Sequence, residues 1–392
     1  MDTAIRNYLV VTGGYWGFTL TDGAIRMLVV LYFHELGYSA FAIASLFLFY
    51  EFFGVVTNLV GGWLGARLGL NRIMHAGMLL QVAALLMLTV PDNWLSVAYV
   101  MAAQALSGIA KDLNKMSAKA SVKTFSPDND SGLFRWVALL TGSKNALKGA
   151  GFFLGAVLLE VAGFRGALYY LAGGLFVVFL TTYSLLPSGV GQLKNKPKFT
   201  EVFSKNPAIN RLSAARFFLF GARDVWFVVG LPVFLADQLG WSFAGTGAFM
   251  AAWVIAYGIV QASVPGWMKR HGAAPEGASA LFWVAVLTLI PAGIALGLIG
   301  GWQAEWVVVG GLLVFGAVFA VNSAVHSYLI LAYADHDKVA MNVGFYYMAN
   351  AGGRLIGTVA SGAAYQYGGL VACLWISAGF LLIAAVISRR LP

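Results

Sequence analysis

Most of this chain consists of apolar stretches, each of which is long enough to form a helix across a lipid bilayer. A spanning helix needs about 20 predominantly apolar residues. Twelve such stretches follow one another and are numbered here as spans 1 to 12: 8–33, 41–65, 73–91, 94–118, 134–161, 166–186, 211–236, 243–268, 278–298, 305–333, 340–366 and 370–388. Only 10% of the residues are charged, whereas a soluble domain carries about 25%. The sequence therefore predicts an all-α polytopic membrane protein.

Basic residues outside the spans gather on one side of the predicted membrane. If both ends share a side, that side holds sixteen of the 25 Lys and Arg residues, and the opposite side holds Arg165 alone. Because positively charged loops stay in the cytoplasm, we expect both termini there. The expected location is the plasma membrane, which in a bacterium is the inner membrane. The start of the chain has no small-residue cleavage site, so we expect span 1 to be retained. The net charge of +9 reflects this topology and does not indicate nucleic-acid binding.

The two halves of the chain repeat each other at an offset of about 203 residues. Tyr32–Ser39 resembles Phe234–Ser242, and Gly62–Gly69 resembles Gly266–Gly272. In the same order, Lys148-x-x-Gly151-x-x-x-Gly155 matches Asn350-x-x-Gly353-x-x-x-Gly357. Duplication of a six-helix half is typical of secondary transporters that bind substrate between the halves near the midplane. We therefore predict an N-terminal bundle at 1–186, a cytoplasmic linker at 187–210 and a C-terminal bundle at 211–392.

Charged residues lie deep inside several spans, although a charge at the bilayer centre costs at least about 2.5–3.5 kcal/mol. Such side chains normally face a bundle interior or a water-filled path, so they are candidates for a transport site. The positive candidates are Arg26, Lys111, Lys115, Lys144, Lys148, Arg223 and Arg354. The negative residues are Asp22, Glu51, Asp112 and Asp224, of which Asp22, Glu51 and Asp224 are candidates for proton coupling. The surplus of positive charge favours an anionic substrate.

Charges that lie one turn apart allow a structural interpretation as well. Asp22 and Arg26 share one face of span 1, so they either neutralise each other or line the pathway. Lys111 and Lys115 share a face of span 4, and they either snorkel to the membrane surface or guide an anion from the cytoplasm.

Lys144 and Lys148 lie close to the middle of span 5, with no acidic residue within reach on the same helix. Two like charges on one face repel each other, and an anion between them would relieve that cost. Pairing with Glu51 or Asp22 is the alternative. We expect Arg354 of span 11, the repeat partner of span 5, to supply the counterpart charge in the second half.

Arg223 and Asp224 are neighbours in span 7, so they point about 100° apart on a helix. We expect one of the two to face the pathway, and we favour Arg223 as the group that contacts the substrate. Further polar candidates for substrate contact are Asn322, His326, Tyr346 and Asn350. For His326, a buried structural histidine is the alternative to a group that titrates near neutral pH.

The sequence contains no nucleophile–base–carboxylate set, no metal cluster and no Gly-x-x-x-x-Gly-Lys-Ser/Thr loop for a nucleotide. We therefore expect neither an enzyme nor a bound cofactor or metal, and we expect a gradient to drive transport. A membrane enzyme or sensor on a transporter-like scaffold is the interpretation that this pattern disfavours.

The loop between spans 2 and 3 resembles the corresponding loop of the major facilitator superfamily, with the sequence Gly62-Trp63-Leu64-Gly65-Ala66-Arg67-Leu68-Gly69-Leu70-Asn71-Arg72. The family pattern has an Asp in place of Ala66 and often an Arg in place of Gln104. The Gly-Pro of its span 5 motif is absent here. The resemblance implies the major facilitator fold, with twelve transmembrane helices in two six-helix pseudo-repeats. It also implies a monomer in contact with membrane lipid, in which spans 1, 4, 7 and 10 line a central cavity.

Longer strings resemble the ArsJ-type organoarsenical efflux permeases, most specifically in the first half: Arg6–Gly13, Tyr15–Gly23, Tyr50–Asn58, Ser107–Leu113 and Arg135–Gly149. This resemblance implies export of 1-arseno-3-phosphoglycerate, and hence arsenate resistance. That ester forms when glyceraldehyde-3-phosphate dehydrogenase uses arsenate in place of phosphate. The dehydrogenase would thus be a functional partner, not necessarily a physical one.

The residue types agree with a substrate of this kind. Arsenate is a tetrahedral oxyanion like phosphate, and Arg and Lys bind such groups through charge-assisted hydrogen bonds. Arsenite instead prefers soft thiolates, and Cys373 is the one cysteine of the chain. A multi-thiol arsenite site is therefore excluded. A transporter of another organophosphate or organic anion, working as an importer or exchanger, is the alternative.

Overall fold

A computed structural model describes residues 3–125, 130–187, 204, 206–270, 276–333 and 339–392. Within these ranges the chain is helical and contains no strand. The helices are α1 (Thr3–Glu35), α2 (Ala40–Leu46), α3 (Leu48–Leu68), α4 (Leu70–Met87), α5 (Val97–Phe125), α6 (Asp130–Leu185), α7 (Pro207–Phe227), α8 (Gly230–Asp237), α9 (Phe243–Arg270), α10 (Gly277–Ile299), α11 (Ala304–Ala332) and α12 (Val339–Ser388). Most of the predicted linker 187–210 lies outside the described residues, as do the side chains of Gly62–Arg67.

The helices match the predicted spans, except that two long helices each contain two spans and two spans are each divided into two helices. α6 contains spans 5 and 6 and bends at Gly163, and α12 contains spans 11 and 12 and bends at Gly368 and Gly369. Gly163 and Gly369 have φ values of 67° and 61°, which glycine adopts without the steric cost of a side chain. Spans 2 and 7 are instead divided, because Phe47 separates α2 from α3 and Val228–Val229 separates α7 from α8. The all-α fold with twelve predicted spans is thereby confirmed.

Eight stretches of the described helices are long and apolar enough to cross a membrane: Ala40–Asn58, Leu70–Met87, Ser143–Leu185, Pro207–Asp237, Phe243–Val264, Gly277–Ile299, Ala304–Ile330 and Phe345–Ser388. Two of them, of 43 and 44 residues, contain the glycine bends and so hold two spans each. α1 and α5, which correspond to spans 1 and 4, are less apolar. They carry several of the charged candidates instead.

The helices pack into two compact units. The first consists of Met1–Tyr32, Phe49–Phe199 and Phe243–Ala251. The second consists of Phe33–Leu48, Thr200–Ser242 and Ala252–Pro392. The boundaries expected from the sequence for two contiguous bundles stay a prediction.

In the first unit, small residues allow α6 to approach α1 at backbone distance. A Cβ on Gly151 would collide with the carbonyl of Leu20 and would lie 3.1 Å from Cα of Gly23. One turn on, a Cβ on Gly155 would collide with the backbone of Ala24. Spacing of small residues by four is how membrane helices bring their backbones together without a hydrophobic driving force. The candidate charges of α1 and α6 are therefore carried on two closely crossed helices.

The second unit repeats this crossing between α12 and α7. A Cβ on Gly353 would collide with the carbonyl of Phe217, and one on Gly357 would lie 2.6 Å from the carbonyl oxygen of Gly221. Gly353 and Gly357 are the repeat partners of the two glycines of α6. The sequence repeat therefore corresponds to the same packing in both units.

Candidate functional site

In the first unit, buried polar side chains join α1 to α3. Nη2 of Arg26 donates to Oε1 of Glu51 at 2.6 Å, and both side chains are almost fully buried. The hydroxyl of Tyr50 donates to Oδ1 of Asp22 at 2.5 Å, and its ring centroid lies 5.1 Å from the guanidinium of Arg26. Asp22 and Arg26 thus each take a partner on α3.

Asp112 of α5 contacts two lysines of the same helix, Lys111 and Lys115. One carboxylate oxygen accepts a hydrogen bond from Nζ of Lys115, and the other lies 3.6 Å from Nζ of Lys111. Nζ of Lys115 also donates to Oδ1 of Asn58 in α3 at 2.8 Å, and Nζ of Lys111 lies 4.0 Å from the ring centroid of Tyr50. Both ammonium groups are held against α3 inside the unit, which argues against the snorkelling alternative.

Lys144 and Lys148 lie one turn apart on α6, and both side chains are half-buried. Nζ of Lys148 is 5.8 Å from the ring centroid of Phe152. The backbone at Lys148 lies against α1, because a Cβ on Gly23 would be 2.6 Å from the Lys148 carbonyl oxygen. Gly23 adjoins Asp22, so the helix crossing brings Lys148 next to the network of α1 and α3. A role of these lysines in substrate binding stays a prediction.

In the second unit, two arginines share one carboxylate. Oδ1 of Asp224 accepts from Nε of Arg223 at 2.7 Å, and its Oδ2 accepts from Nε of Arg354 at 3.0 Å. The carboxylate is fully buried, whereas about a seventh of each arginine side chain is exposed. Neighbouring residues point about 100° apart on a helix, so the side chain of Arg223 bends toward Asp224 to make this hydrogen bond. The network contains two positive charges and one negative charge.

Arg216 of α7 is a buried cation that was not among the predicted candidates. It is 4% exposed. Its Nε donates to Oδ1 of Asn350 at 3.2 Å, and its Nη1 donates to Oγ of Ser323 at 3.1 Å. The guanidinium lies 3.8 Å from the ring centroid of Phe220. The available signal was its spacing, because Arg216 precedes Arg223 by two turns and so lies on the same side of α7.

Three other predicted residues of the second unit, Asn322, His326 and Tyr346, are fully buried. The amide nitrogen of Asn322 donates to the carbonyl of Ala280 in α10 at 3.2 Å. The ring centroid of Tyr346 lies 5.2 Å from the guanidinium of Arg216. Asn322 is thus used in packing, whereas Tyr346 and Asn350 lie beside Arg216.

The arrangement suits oxygen ligands that carry negative charge. Basic groups whose N–H bonds point into the protein bind oxyanions through charge-assisted hydrogen bonds. Within the residues that the structure describes, no group of three or more His, Cys, Asp or Glu side chains could hold a metal ion. Cys373 is buried, and its Sγ lies 3.6 Å from the carbonyl oxygen of Ser361.

Comparison with known proteins identifies the fold. The nucleoside transporter NupG, solved as a point mutant, aligns with a TM-score of 0.76 and 15% identity over 100% of both chains. A POT family transporter in complex with a thioalcohol-conjugated peptide aligns with a TM-score of 0.78 and 14% identity, over 98% of this chain and 95% of that one. At these identities the likeness shows the fold alone. Among curated proteins, none matches the sequence significantly.

The sequence model of the Major Facilitator Superfamily matches residues 11–325. That match covers most of the chain and agrees with the helices and their internal repeat. The chain therefore belongs to the major facilitator superfamily and is a multi-pass membrane transporter.

Proposed function

We propose that this transporter exports 1-arseno-3-phosphoglycerate from the cytoplasm by alternating access and thereby confers arsenate resistance. The strings of the first half that resemble ArsJ-type permeases support this substrate. The substrate carries a phosphoryl group at one end and an arsenyl group at the other, so it presents several negatively charged oxygens. Both ends suit a site made of basic side chains.

The observation that carries the proposal is the excess of basic groups inside each unit. In the first unit, these groups are Arg26, Lys111, Lys115, Lys144 and Lys148 against Asp22, Glu51 and Asp112. In the second unit, they are Arg216, Arg223 and Arg354 against Asp224. Each unit therefore has a surplus of two positive charges. Charges at membrane depth are costly, and a bound polyanion would offset that cost.

The basic side chains of the candidate site favour a substrate that contains pentavalent arsenic. Arg and Lys donate hydrogen bonds to the oxygens of pentavalent arsenic, whereas trivalent arsenic prefers soft thiolates. Cys373 is buried against Ser361, and it is the single cysteine of the chain. We therefore propose that arsenite is not a substrate.

The same basic groups also suit a second candidate function, export or exchange of another organophosphate or organic anion. An arsenyl group and a phosphoryl group have the same shape and charge, so charge alone does not separate the two functions. The resemblance of the first-half strings favours the arsenical. In both cases we propose an inner-membrane protein with cytoplasmic termini.

The three candidates for proton coupling differ in their contacts. Glu51 pairs with Arg26, and Asp224 is shared by two arginines. The carboxylate of Asp22 instead accepts from the neutral hydroxyl of Tyr50.

Survival of an arsenic-sensitive bacterium carrying this gene tests the function. We expect growth in arsenate only when a glyceraldehyde-3-phosphate dehydrogenase able to use arsenate is also present, because that enzyme makes the proposed substrate. Arsenite tolerance should not change. Protection against arsenite by this gene alone, or arsenate resistance without the dehydrogenase, would contradict the proposal.

A further inference from the structure

Arg216 is held in the second unit by neutral groups only. Among the described residues, no carboxylate lies within 4 Å of its guanidinium, whereas Arg26, Arg223 and Arg354 each pair with one. Its hydrogen bonds go to the side-chain oxygen of Asn350 and to Ser323. Removing a charge from water without a counter-charge is costly unless another group compensates it. The environment of Arg216 is therefore one that an anion would complete.

Ser323 brings polar side chains of three helices together at the guanidinium of Arg216. Oγ of Ser323 lies within hydrogen-bond distance of Nη1 of Arg216 (3.1 Å), the hydroxyl of Tyr257 (3.2 Å) and Nε2 of Gln261 (3.3 Å). A serine hydroxyl has one O–H and two lone pairs, so it can make all three hydrogen bonds. These groups come from α7 and α9 and converge on α11. Tyr257, Gln261 and Ser323 are neutral, so none of them compensates the charge of Arg216.

The internal repeat points to the same position. Asn350 is the repeat partner of Lys148, and in both units this residue lies one turn before the glycine that crosses the neighbouring helix. The second unit has no lysine there. Arg216 projects from the opposing helix α7 onto Asn350 instead. The positive charge that Lys148 provides in the first unit is thus provided in the second unit from the other side of the crossing.

We infer that Arg216 is an anion-binding residue that takes a tetrahedral oxyanion, the phosphoryl or arsenyl group of the transported molecule. The inference rests on the proposed function for the identity of that molecule. Asn350 accepts from Nε and Ser323 accepts from Nη1, so Nη2 is the nitrogen that would donate to the oxyanion. A guanidinium binds tetrahedral oxyanions through charge-assisted hydrogen bonds.

Binding of inorganic phosphate and of 3-phosphoglycerate to the purified full-length protein tests the inference. Both probes should raise the thermal unfolding midpoint of the wild type, since a ligand that binds only the folded state stabilises it. Arg216→Gln should weaken the binding of both probes about ten- to hundredfold by calorimetry, as expected for loss of a charge-assisted hydrogen bond. Arg216→Lys, which keeps the charge but loses the planar guanidinium, should bind with an affinity between those of the wild type and Arg216→Gln.

The matched control is Arg211→Gln, which removes a positive charge from an exposed position on the same helix. It should leave the affinity for both probes unchanged. A lower unfolding midpoint of Arg216→Gln without ligand, combined with a wild-type affinity for phosphate, would overturn the inference and leave Arg216 a packing residue. Absence of any stabilisation of the wild type by either probe would overturn it as well.

Asn350→Asp gives a second test that does not remove the arginine. It would place a carboxylate 3.2 Å from Nε of Arg216 and so supply the missing counter-charge from within the protein. We expect the unliganded protein to unfold at the same or a higher temperature, and its binding of phosphate to fall at least tenfold. Unchanged binding of phosphate by this variant would contradict the inference, even if Arg216→Gln fails to fold.

These results are distinguishable from failure of the proposed export. Phosphate binding that depends on Arg216, in a protein that gives no arsenate resistance, would support the anion site and reject the arsenical. If the transporter confers arsenate resistance but Arg216→Gln binds phosphate as the wild type does, export of the arsenical would be supported and the anion site at Arg216 rejected.

Discussion

At the residue scale, several buried cations of this transporter share or pair with a carboxylate. Asp112 and Asp224 each contact two cations, and Arg26 has Glu51. A carboxylate that serves two cations does more than cancel one charge. It fixes the distance between them, and its removal would take one shared counter-charge from both cations inside the membrane. Breaking such a buried arrangement on one side costs about 3–5 kcal/mol.

Asp224→Asn tests this role. We expect the free energy of unfolding in detergent to fall by about 3–5 kcal/mol, because Arg223 and Arg354 would lose their shared partner. Asp237→Asn, which changes an exposed carboxylate at the end of α8, should leave stability unchanged. An Asp224→Asn protein as stable as the wild type would contradict this structural role.

Lys148→Gln tests whether the lysines of α6 bind the substrate. We expect apparent affinity to fall about ten- to hundredfold and arsenate resistance to be lost, while the protein still reaches the membrane. Arg165→Gln, which removes an exposed positive charge from the same helix, should keep activity.

If Lys148 instead only neutralised Glu51, adding Glu51→Gln to Lys148→Gln would restore function. We expect no rescue, because Glu51 is the partner of Arg26 and its neutralisation would leave that arginine without the carboxylate. Recovery of resistance in the double variant would refute substrate binding by Lys148.

Residue positions on one helix could be predicted from the sequence, but partners on other helices could not. Helical spacing placed Asp22 beside Arg26, yet each bonds to α3. Arg216 was missed because its partners, Asn350 and Ser323, are more than 100 residues away and neutral. A sequence pattern shows which charges are deep, and only tertiary packing shows how each is compensated.

At the scale of helices, glycine allows two helices to cross closely, and hydrogen bonds from a neighbouring helix stabilise the points where a helix is interrupted. α7 and α8 are separated at Val228–Val229, and Oγ of Ser361 in α12 accepts from the N–H groups of Val229 and Gly230 at 3.2 and 3.1 Å. Backbone N–H groups freed in the membrane must find such partners. The lengths of the spans could be predicted from hydropathy. Hydropathy does not show this break, since residues 228–233 remain apolar. The sequence signal for it is Pro232, which has no N–H to donate to the carbonyl of Val228.

Gly353→Ala tests the crossing of α7 and α12. Its Cβ would collide with the Phe217 carbonyl, so we expect the free energy of unfolding to fall by about 1–3 kcal/mol, as for other overpacked contacts. Gly379→Ala on the same helix, where no atom lies within 4 Å of the added Cβ, is the control and should be neutral or stabilising. Equal effects of the two substitutions would contradict the described crossing.

At the scale of the whole molecule, the internal repeat accounts for much of what the sequence predicted. The repeat matches Gly151 and Gly155 to Gly353 and Gly357, and each pair allows its helix to cross a neighbouring helix at backbone distance. The assignment of Phe33–Leu48 and Phe243–Ala251 to the units of the fold could not be foreseen, because it depends on contacts between helices that are distant in sequence. The repeat likewise does not predict the identity of the substrate, because basic groups in both halves suit any polyanion.

Accumulation of arsenic in everted membrane vesicles tests the central claim most directly, because export from a cell becomes uptake in this orientation. With purified dehydrogenase, glyceraldehyde 3-phosphate, NAD and arsenate outside, we predict uptake of arsenic into vesicles that contain the protein. Omission of the dehydrogenase, or substitution of Lys148→Gln, should abolish that uptake. Equal arsenic uptake with and without the dehydrogenase, or none in its presence, would contradict export of the arsenylated glycerate.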